Sequence, residues 1–284
     1  MTIDEKLAAI LAAVQTDPGH RGLARDPHDN LFTATAGQFQ AACRSIADHP
    51  NPVVAVFTGF WIPNATPPAF ETDGPQGVEM LAGALRRIGA PVRVYAEPPV
   101  LALPRFGWLT NETPPPTHLI ACERPGPTRD GTFRTMRGID ISAVHAGVHA
   151  EYESLLARHR PVTIGIGDGG NEIGMGSIRL ETLAKNIVSA NQVRCVMPCD
   201  HLIVAGVSNW GAFALAAGLY VLAGQVPEDY YFDPTYDLGG MTQFVRLGPL
   251  VDGVTGRQEA TVDGLPWEVY GAPIRRIRQI LDTR

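Results

Sequence analysis

The chain predicts an α/β fold, a mostly parallel sheet flanked by helices on both faces, with an active site at the carboxyl ends of the strands. Three observations lead there. Short runs rich in Val and Ile recur at Pro52–Phe57, Val92–Tyr95, His118–Cys122, Val162–Ile166 and His201–Ala205, and continuous apolar runs of this length suit strands covered on both faces. Stretches with helical spacing lie between them. Four of the runs end in loops bearing glycine or an acid, and open α/β sheets bind their ligands beyond the carboxyl ends of strands.

Taken in order, residues 5–15 have helical spacing, broken at Asp17-Pro-Gly-His-Arg-Gly-Leu23. Gln76–Ile88 reads as a helix stopped by Gly89. Glu151–Arg158 is helical and ends before Pro161. Trp210–Leu222 is apolar on every side, the pattern of a buried helix. Ala272–Leu281 is a basic amphipathic helix whose Arg275, Arg276 and Arg278 suit a solvated face. Residues 1–284 are expected to form one domain with irregular excursions at 61–75 and 97–117; long loops in compact domains often serve as lids or binding loops.

Composition narrows the function classes. Charged residues make up 18% and the formal net charge is -6, which excludes the basic surface that nucleic acid demands. The segment Met1-Thr-Ile-Asp-Glu-Lys-Leu7 lacks the pattern of a signal peptide. The longest apolar stretch, Phe213–Ala223, is too short to span a bilayer. A cytoplasmic protein without membrane contact is expected, and homo-oligomerisation stays open. Cys43, Cys122, Cys195 and Cys199 lack zinc-finger spacing and read as reduced, mostly buried thiols. His145 and His149 are spaced i, i+4 without the intervening Glu of a zinc protease, so they read as helix-face residues.

The strongest chemical signal is Gly165-Ile-Gly-Asp-Gly-Gly-Asn-Glu-Ile-Gly-Met-Gly176, with six glycines in twelve positions. The glycines allow close backbone approach to a ligand. Asp168, Asn171 and Glu172 supply hard oxygen atoms that suit Mg²⁺, Mn²⁺ or Ca²⁺, and Gly169 and Gly170 offer backbone N–H groups to an anion. A capped turn would use the same residue types. The string does not fit G-x-G-x-x-G or the Walker pattern, so no nucleotide cofactor is expected. Thr58-Gly59-Phe60 offers a hydroxyl and bare backbone at a strand exit, and Glu71-Thr-Asp73-Gly-Pro75 places carboxylates before a helix, where helix capping is an equal reading. Glu123 directly follows a strand, and Arg124 or Arg137 can clamp a substrate carboxylate. Ser208 and Asn209, in Gly206-Val-Ser-Asn-Trp-Gly211, suit helix capping or donation to a ligand oxygen. Asp252-Gly-Val-Thr-Gly256 reads as a turn.

Together these motifs resemble the C-terminal-domain family of D-glutamate cyclase. The resemblance rests on Thr58–Phe60, Glu71–Pro75, Glu123–Gly126, Met136–Ser142, Gly167–Gly176, Gly206–Gly211 and Asp252–Gly256. It implies conversion of D-glutamate to 5-oxo-D-proline with loss of water. The animal enzyme of that name carries in addition an N-terminal hydro-lyase-like region and is mitochondrial; the expectation is that this chain has neither that region nor a transit peptide. Residue roles are assigned from the chemistry. Asp168, Glu172 and either Glu123 or Asp73 are expected to hold Mg²⁺ or Mn²⁺, which would polarise a carboxyl carbonyl. A remaining carboxylate would act as acid and base. The partner is then a small acidic metabolite, D-glutamate or similar. Metal-dependent hydrolysis of a small phosphorylated metabolite is an alternative, as are a non-catalytic module binding an acidic metabolite or metal and a structural partner domain for a separate hydro-lyase.

Overall fold

The computed structural model describes residues 1–283. In chain order its elements are α1 (Ile3–Val14), α2 (Leu31–Ala34), α3 (Gln38–Ala47), β1 (Val54–Thr58), β2 (Trp61–Ile62), β3 (Ala69–Phe70), α4 (Pro75–Arg87), β4 (Val92–Tyr95), α5 (Pro98–Leu101), β5 (His118–Cys122), α6 (Ser142–His159), β6 (Val162–Gly167), α7 (Leu180–Asn186), α8 (Ala190–Val193), β7 (His201–Val204), α9 (Ser208–Ala223), α10 (Pro234–Leu247) and α11 (Trp267–Asp282).

The five apolar runs become the main sheet, paired in parallel in the order β4-β1-β5-β6-β7. Alternate side chains serve opposite faces. Val54 and Val56 join the core beneath α1, α3, α4, α9, α10 and α11, while Ala55 and Phe57 meet Tyr152 and Leu155 of α6. Leu202 and Val204 pack with Leu183 and Ile187 at the far edge. The α/β class expected from the sequence is the one observed. The strand order reverses direction between β1 and β5, where Thr58 is paired with Cys122. Such a reversal opens a crevice at the carboxyl edge of a parallel sheet, because the connections on either side leave toward opposite faces.

Helix α9 is the hub of one layer. Ser208 to Tyr220 are buried, and α1, α3, α4 and α11 pack around it. Its lack of a polar face is therefore a consequence of burial on every side. The closest approach is to α4, where a Cβ on Gly77 would lie 2.8 Å from Asn209 Cα. Any side chain at position 77 would push the two helix N-termini apart.

Several boundaries differ from the sequence reading. Helix α6 begins at Ser142, nine residues before the apolar periodicity becomes clear at Glu151. Helix α11 begins at Trp267 and continues through Pro273. The excursion at 61–75 contains the small antiparallel pair β2–β3, and that at 97–117 contains α5 and a 3₁₀ turn at Gly107–Thr110. The cysteines are free thiols, with Cys43, Cys122 and Cys195 buried. No described helix is long and apolar enough to cross a membrane.

Buried His118 opens β5. Its Nε2 faces Ser45 O at 3.0 Å and its Nδ1 faces Thr117 Oγ1 at 2.8 Å, so a neutral ring satisfies both contacts. Burial pulls its pKa down to about 4. The unfolded chain takes up a proton near pH ~6.5 that the folded chain refuses, so the stability carried by His118 is lost as pH falls from ~6.5 toward 4. Thermal melts of wild type and His118→Gln should show the wild-type advantage at pH ~7.5 shrinking toward pH ~4.5. A constant gap would show that the histidine stays uncoupled from pH.

Candidate active site

The carboxyl ends of β1, β5, β6 and the loop after β7 meet at the strand-order reversal. Glu123 follows β5 directly in a left-handed conformation, φ 44°, a placement that costs a non-glycine residue about 1–3 kcal/mol. Its Oε2 accepts from Ser208 Oγ at 2.6 Å. Asp168 follows β6 and is fully buried. Its Oδ2 accepts from Arg21 Nη1 at 2.7 Å and from Ser208 N at 3.2 Å. Its Oδ1 is buried and takes no hydrogen bond from any described residue.

Six carboxyl groups crowd this spot: Glu71, Asp73, Glu123, Asp168, Glu172 and Asp263. Among the described residues one guanidinium, Arg21, ion-pairs with the cluster, bridging Asp168 and Asp263 at 2.7 Å each. Burial, followed by mutual repulsion, pushes the carboxyls of Glu71 and Glu123 well above the ordinary range. Burial likewise raises Asp168 against the pull of Arg21, raises Asp263, and pushes Asp73 up to about 7. Oxygens of Asp73, Asp168 and Asp263 lie within 4.8 Å of one another, as do oxygens of Glu123, Asp168 and Glu172. Asp168 belongs to both sets.

Two helices point their N-termini at the cluster, and each is capped from the other's segment. Asp73 Oδ1 accepts from Asn209 N at 2.7 Å and its Oδ2 from Ser208 N at 2.9 Å, which caps α9. Asn209 Oδ1 accepts from Gly74 N at 2.9 Å and Gly77 N at 2.7 Å, which caps α4. The exchange gives acceptors to four donors at the two helix starts, of which Ser208 N also reaches Asp168 Oδ2 and Gly74 N also reaches Asp73 Oδ1, and it aims two positive dipole ends at the acids. Gly74, with φ 95°, closes the arrangement: a Cβ there would lie 2.6 Å from Thr58 Oγ1.

The cavity beside the cluster has a volume of about 250 Å³, and Arg21, Glu71, Glu123, Arg137, Asn171 and Asp263 are among its lining residues. That is room for a small metabolite. Glu71 and Glu123 both line this cavity, and the charge of Glu71 adds to the repulsion that raises Glu123. Two buried carboxyls side by side can share a proton, the arrangement that lets one serve as an acid and the other as a base.

This constellation lies on residues that also match a known family model. The model, described as D-glutamate cyclase-like, C-terminal, matches residues 10–105 and 105–278. The chain belongs to this family. It is 28% identical over 338 aligned positions to a human protein named D-glutamate cyclase, mitochondrial; the alignment covers 100% of this chain and 52% of that protein. The chain thus spans about half the length of that curated relative.

Within this family member the residues singled out by sequence take distinct places. Asp73, Glu123, Asp168 and Glu172 are brought together, with Ser208 and Asn209 beside them. Asn171 and Arg137 line the cavity; Arg137 Nη2 donates to Val254 O at 3.1 Å. Glu172 folds back on its own loop, accepting from Asp168 N at 2.9 Å and Gly170 N at 2.6 Å. Gly169 and Gly170 therefore wrap a carboxylate of the chain itself. Thr58 Oγ1 is buried and unpartnered among the described residues, next to Gly59.

Arg124 is a correction. It was expected to clamp substrate, yet it is fully buried and paired with Glu97 at 2.7 Å. It also donates to the carbonyls of Thr58, Gly59 and His145. His145 Nδ1 meets Glu97 at 2.9 Å and its Nε2 accepts from Trp61 N at 3.2 Å. These groups brace the β1 exit. Arg124 Nη1 and Nη2 are committed to these partners, while its Nε is buried without one among the described residues.

Three contributors were missed: Arg21, Asp263 and Glu97. Arg21 was visible only as part of a pattern break. Asp17 holds that break by accepting from Arg21 N, Gly22 N and Leu23 N at 2.9, 2.8 and 3.1 Å. Asp263 precedes Gly264, a turn signal. Its loop is pinned by Asp252, which accepts from Val254 N, Thr255 N, Thr261 Oγ1 and Gly264 N. The Asp252 turn expected from sequence thus delivers a site residue.

Removal of the Asn209 cap leaves Gly77 N buried without its acceptor and Gly74 N with Asp73 Oδ1 alone. Asn209→Ala should lose about 2–3 kcal/mol of unfolding free energy in urea titration. A loss below about 0.5 kcal/mol would show that the exchange of caps is not what holds α4 against α9.

Proposed function

We propose that the cavity binds D-glutamate and closes it to 5-oxo-D-proline with loss of water. The observation that carries this reading is the Glu71–Glu123 pair, two buried carboxyls lining one cavity that also presents arginines. The name of the human relative supplies the substrate and its handedness.

The reaction needs little from the protein except placed charge and a path for protons. Arg137, with one nitrogen on Val254 O and its head in the cavity, holds the substrate α-carboxylate. The ionised member of the Glu71–Glu123 pair takes a proton from the α-ammonium, which frees the nitrogen lone pair. Nitrogen attacks the γ-carboxyl carbon, a C–N bond forms, and the carbonyl electrons move onto oxygen. The protonated member of the pair delivers a proton to the departing oxygen. As the C–O bond breaks, the second proton shed by nitrogen completes the water. Three ammonium protons are thereby divided: one stays as the lactam N–H and two leave in water.

The residues fit a divalent cation. Their donors are hard carboxylate oxygens, two triads share Asp168, and Asp168 Oδ1 lacks a partner among the described residues. Asp168 with Glu123 and Glu172, or with Asp73 and Asp263, would hold Mg²⁺ or Mn²⁺. Bound there, the ion would offset the charge of the γ-carboxylate and polarise its carbonyl. Arg21 holds the cluster together by supplying positive charge to Asp168 and Asp263.

Incubation of the Mn²⁺-supplemented protein with D-glutamate should yield 5-oxo-D-proline on chiral chromatography. Glu123→Gln should lower kcat about 10²–10⁴-fold while the melting temperature holds, because an amide keeps the volume and removes a buried charge. Full activity in Glu123→Gln would remove the acid–base pair from the mechanism. A wild type inert toward D-glutamate but hydrolysing phosphomonoesters would replace the reading with phosphate-ester hydrolysis. Chelation should abolish turnover and Mn²⁺ restore it; full activity after chelation would refute the cation's part.

A further inference from the structure

A second polar cavity, of about 40 Å³, lies between α4 and α10, outside the acid cluster. Two of its lining residues are almost fully buried and carry acceptors that no described residue satisfies: Asp237 Oδ2 and Gln76 Oε1. Asp237 is 3% exposed and Gln76 2% exposed. Gln76 has no freedom to turn its amide round, since its Nε2 already donates to Asp237 O at 2.5 Å. Two orphaned acceptors on one small cavity call for a donor or a cation.

The local charges set the valence. Glu79, also on the wall, is paired with Arg105 at 3.2 Å. Arg105 is in turn stacked over Tyr236 at 5.0 Å. The Glu79–Arg105 pair is neutral, and burial pushes the Asp237 carboxyl well above the ordinary range, so a cation bound there takes the place of a proton. A carboxylate buried without compensation is costly, and one positive charge balances it where two would overshoot.

The remaining walls set the kind of cation. Tyr230, Tyr231 and Tyr236 form the outer wall, with Tyr230 and Tyr236 exposed to solvent; the ring of Tyr230 lies 4.9 Å from those of both neighbours. Tyrosine faces attract cations electrostatically but offer no hard anionic oxygen. They suit a weakly hydrated ion over one that gives up its water reluctantly. The fit is built in: a Cβ on Gly83 would lie 2.0 Å from Tyr231 Oη, and one on Gly240 would lie 3.2 Å from Arg105 Nη1 and 3.6 Å from Gln76 Nε2. These glycines leave room for Tyr231 and for the Arg105 and Gln76 side chains beside the cavity.

We propose that this cavity is a specific site for one weakly hydrated monovalent cation, of potassium or ammonium size, held by Asp237 Oδ2 and Gln76 Oε1. It stands independently of the reaction assigned to the acid cluster.

Thermal melts at constant chloride and ionic strength, with tetramethylammonium as balancing ion, test it. Tetramethylammonium is too large for the cavity, and lithium is too strongly hydrated. Potassium and ammonium should each give a saturable rise in midpoint, about 3 °C at ten times the half-saturating concentration, and lithium should give none. Asp237→Asn should abolish the rise. An equal response to all ions, or an undiminished response in Asp237→Asn, would overturn the site. Thallium(I), a heavy stand-in for potassium, decides the matter in wild-type crystals without a variant. An anomalous peak between Asp237 and Gln76 supports the site, and density for a water alone at saturating thallium refutes it.

Discussion

The structure turns on one electrostatic constraint: among the described residues, six carboxyl groups are gathered at the edge of a parallel sheet around one ion-paired arginine. Left alone, that much buried negative charge would repel itself apart. The fold opposes the repulsion with fixed partial charges. The N-termini of α4 and α9 both face the cluster, and the caps exchanged between Asp73 and Asn209 lock them there. Glu172 is neutralised in part by the backbone of its own glycine loop. Arg21 binds Asp168 and Asp263 together from a segment more than a hundred residues away in sequence. Burial and the repulsion that remains raise the carboxyls of Glu71 and Glu123, and burial raises that of Asp168.

That imbalance is what gives the site chemical capacity. A carboxyl that keeps its proton beside one that does not is an acid and a base at the same pH. Placement at the strand-order reversal adds rigidity, because each group sits at the end of a paired strand or the first turn of a packed helix. The Glu97–Arg124–His145 network extends the rigidity outward by fixing the carbonyls of Thr58 and Gly59.

The sheet was legible because parallel strands buried on both faces must be continuous apolar runs, and Val54–Thr58, His118–Cys122 and Val162–Gly167 are. The glycine string around Asp168 was legible for a related reason, since few loops other than a ligand site or a tight capping turn need so many residues without side chains. The division between the two was not. Glu172, Asn209 and Asp73 all accept from backbone N–H groups, and a carboxylate facing a helix N-terminus looks the same in sequence whether it holds N–H groups or a ligand. Arg21 and Asp263 were hidden for another reason: each is brought in by a loop whose course depends on tertiary contacts, those of Asp17 and Asp252. Arg124 misled because its neighbour Glu123 does face the cavity, and adjacent residues leaving a strand point in opposite directions. Helix α10 was passed over although Asp233 and Pro234 give a cap and a first-turn proline, since Gly239 and Gly240 interrupt its apolar spacing.

The central claim is that the acid cluster is completed by a divalent cation on Asp168. Anomalous diffraction at the manganese edge, on crystals soaked in Mn²⁺, addresses it directly. The account predicts a peak within coordination reach of an Asp168 carboxylate oxygen, with either Glu123 and Glu172 or Asp73 and Asp263 as neighbours. Crystals that turn over D-glutamate with no peak near Asp168 would contradict it.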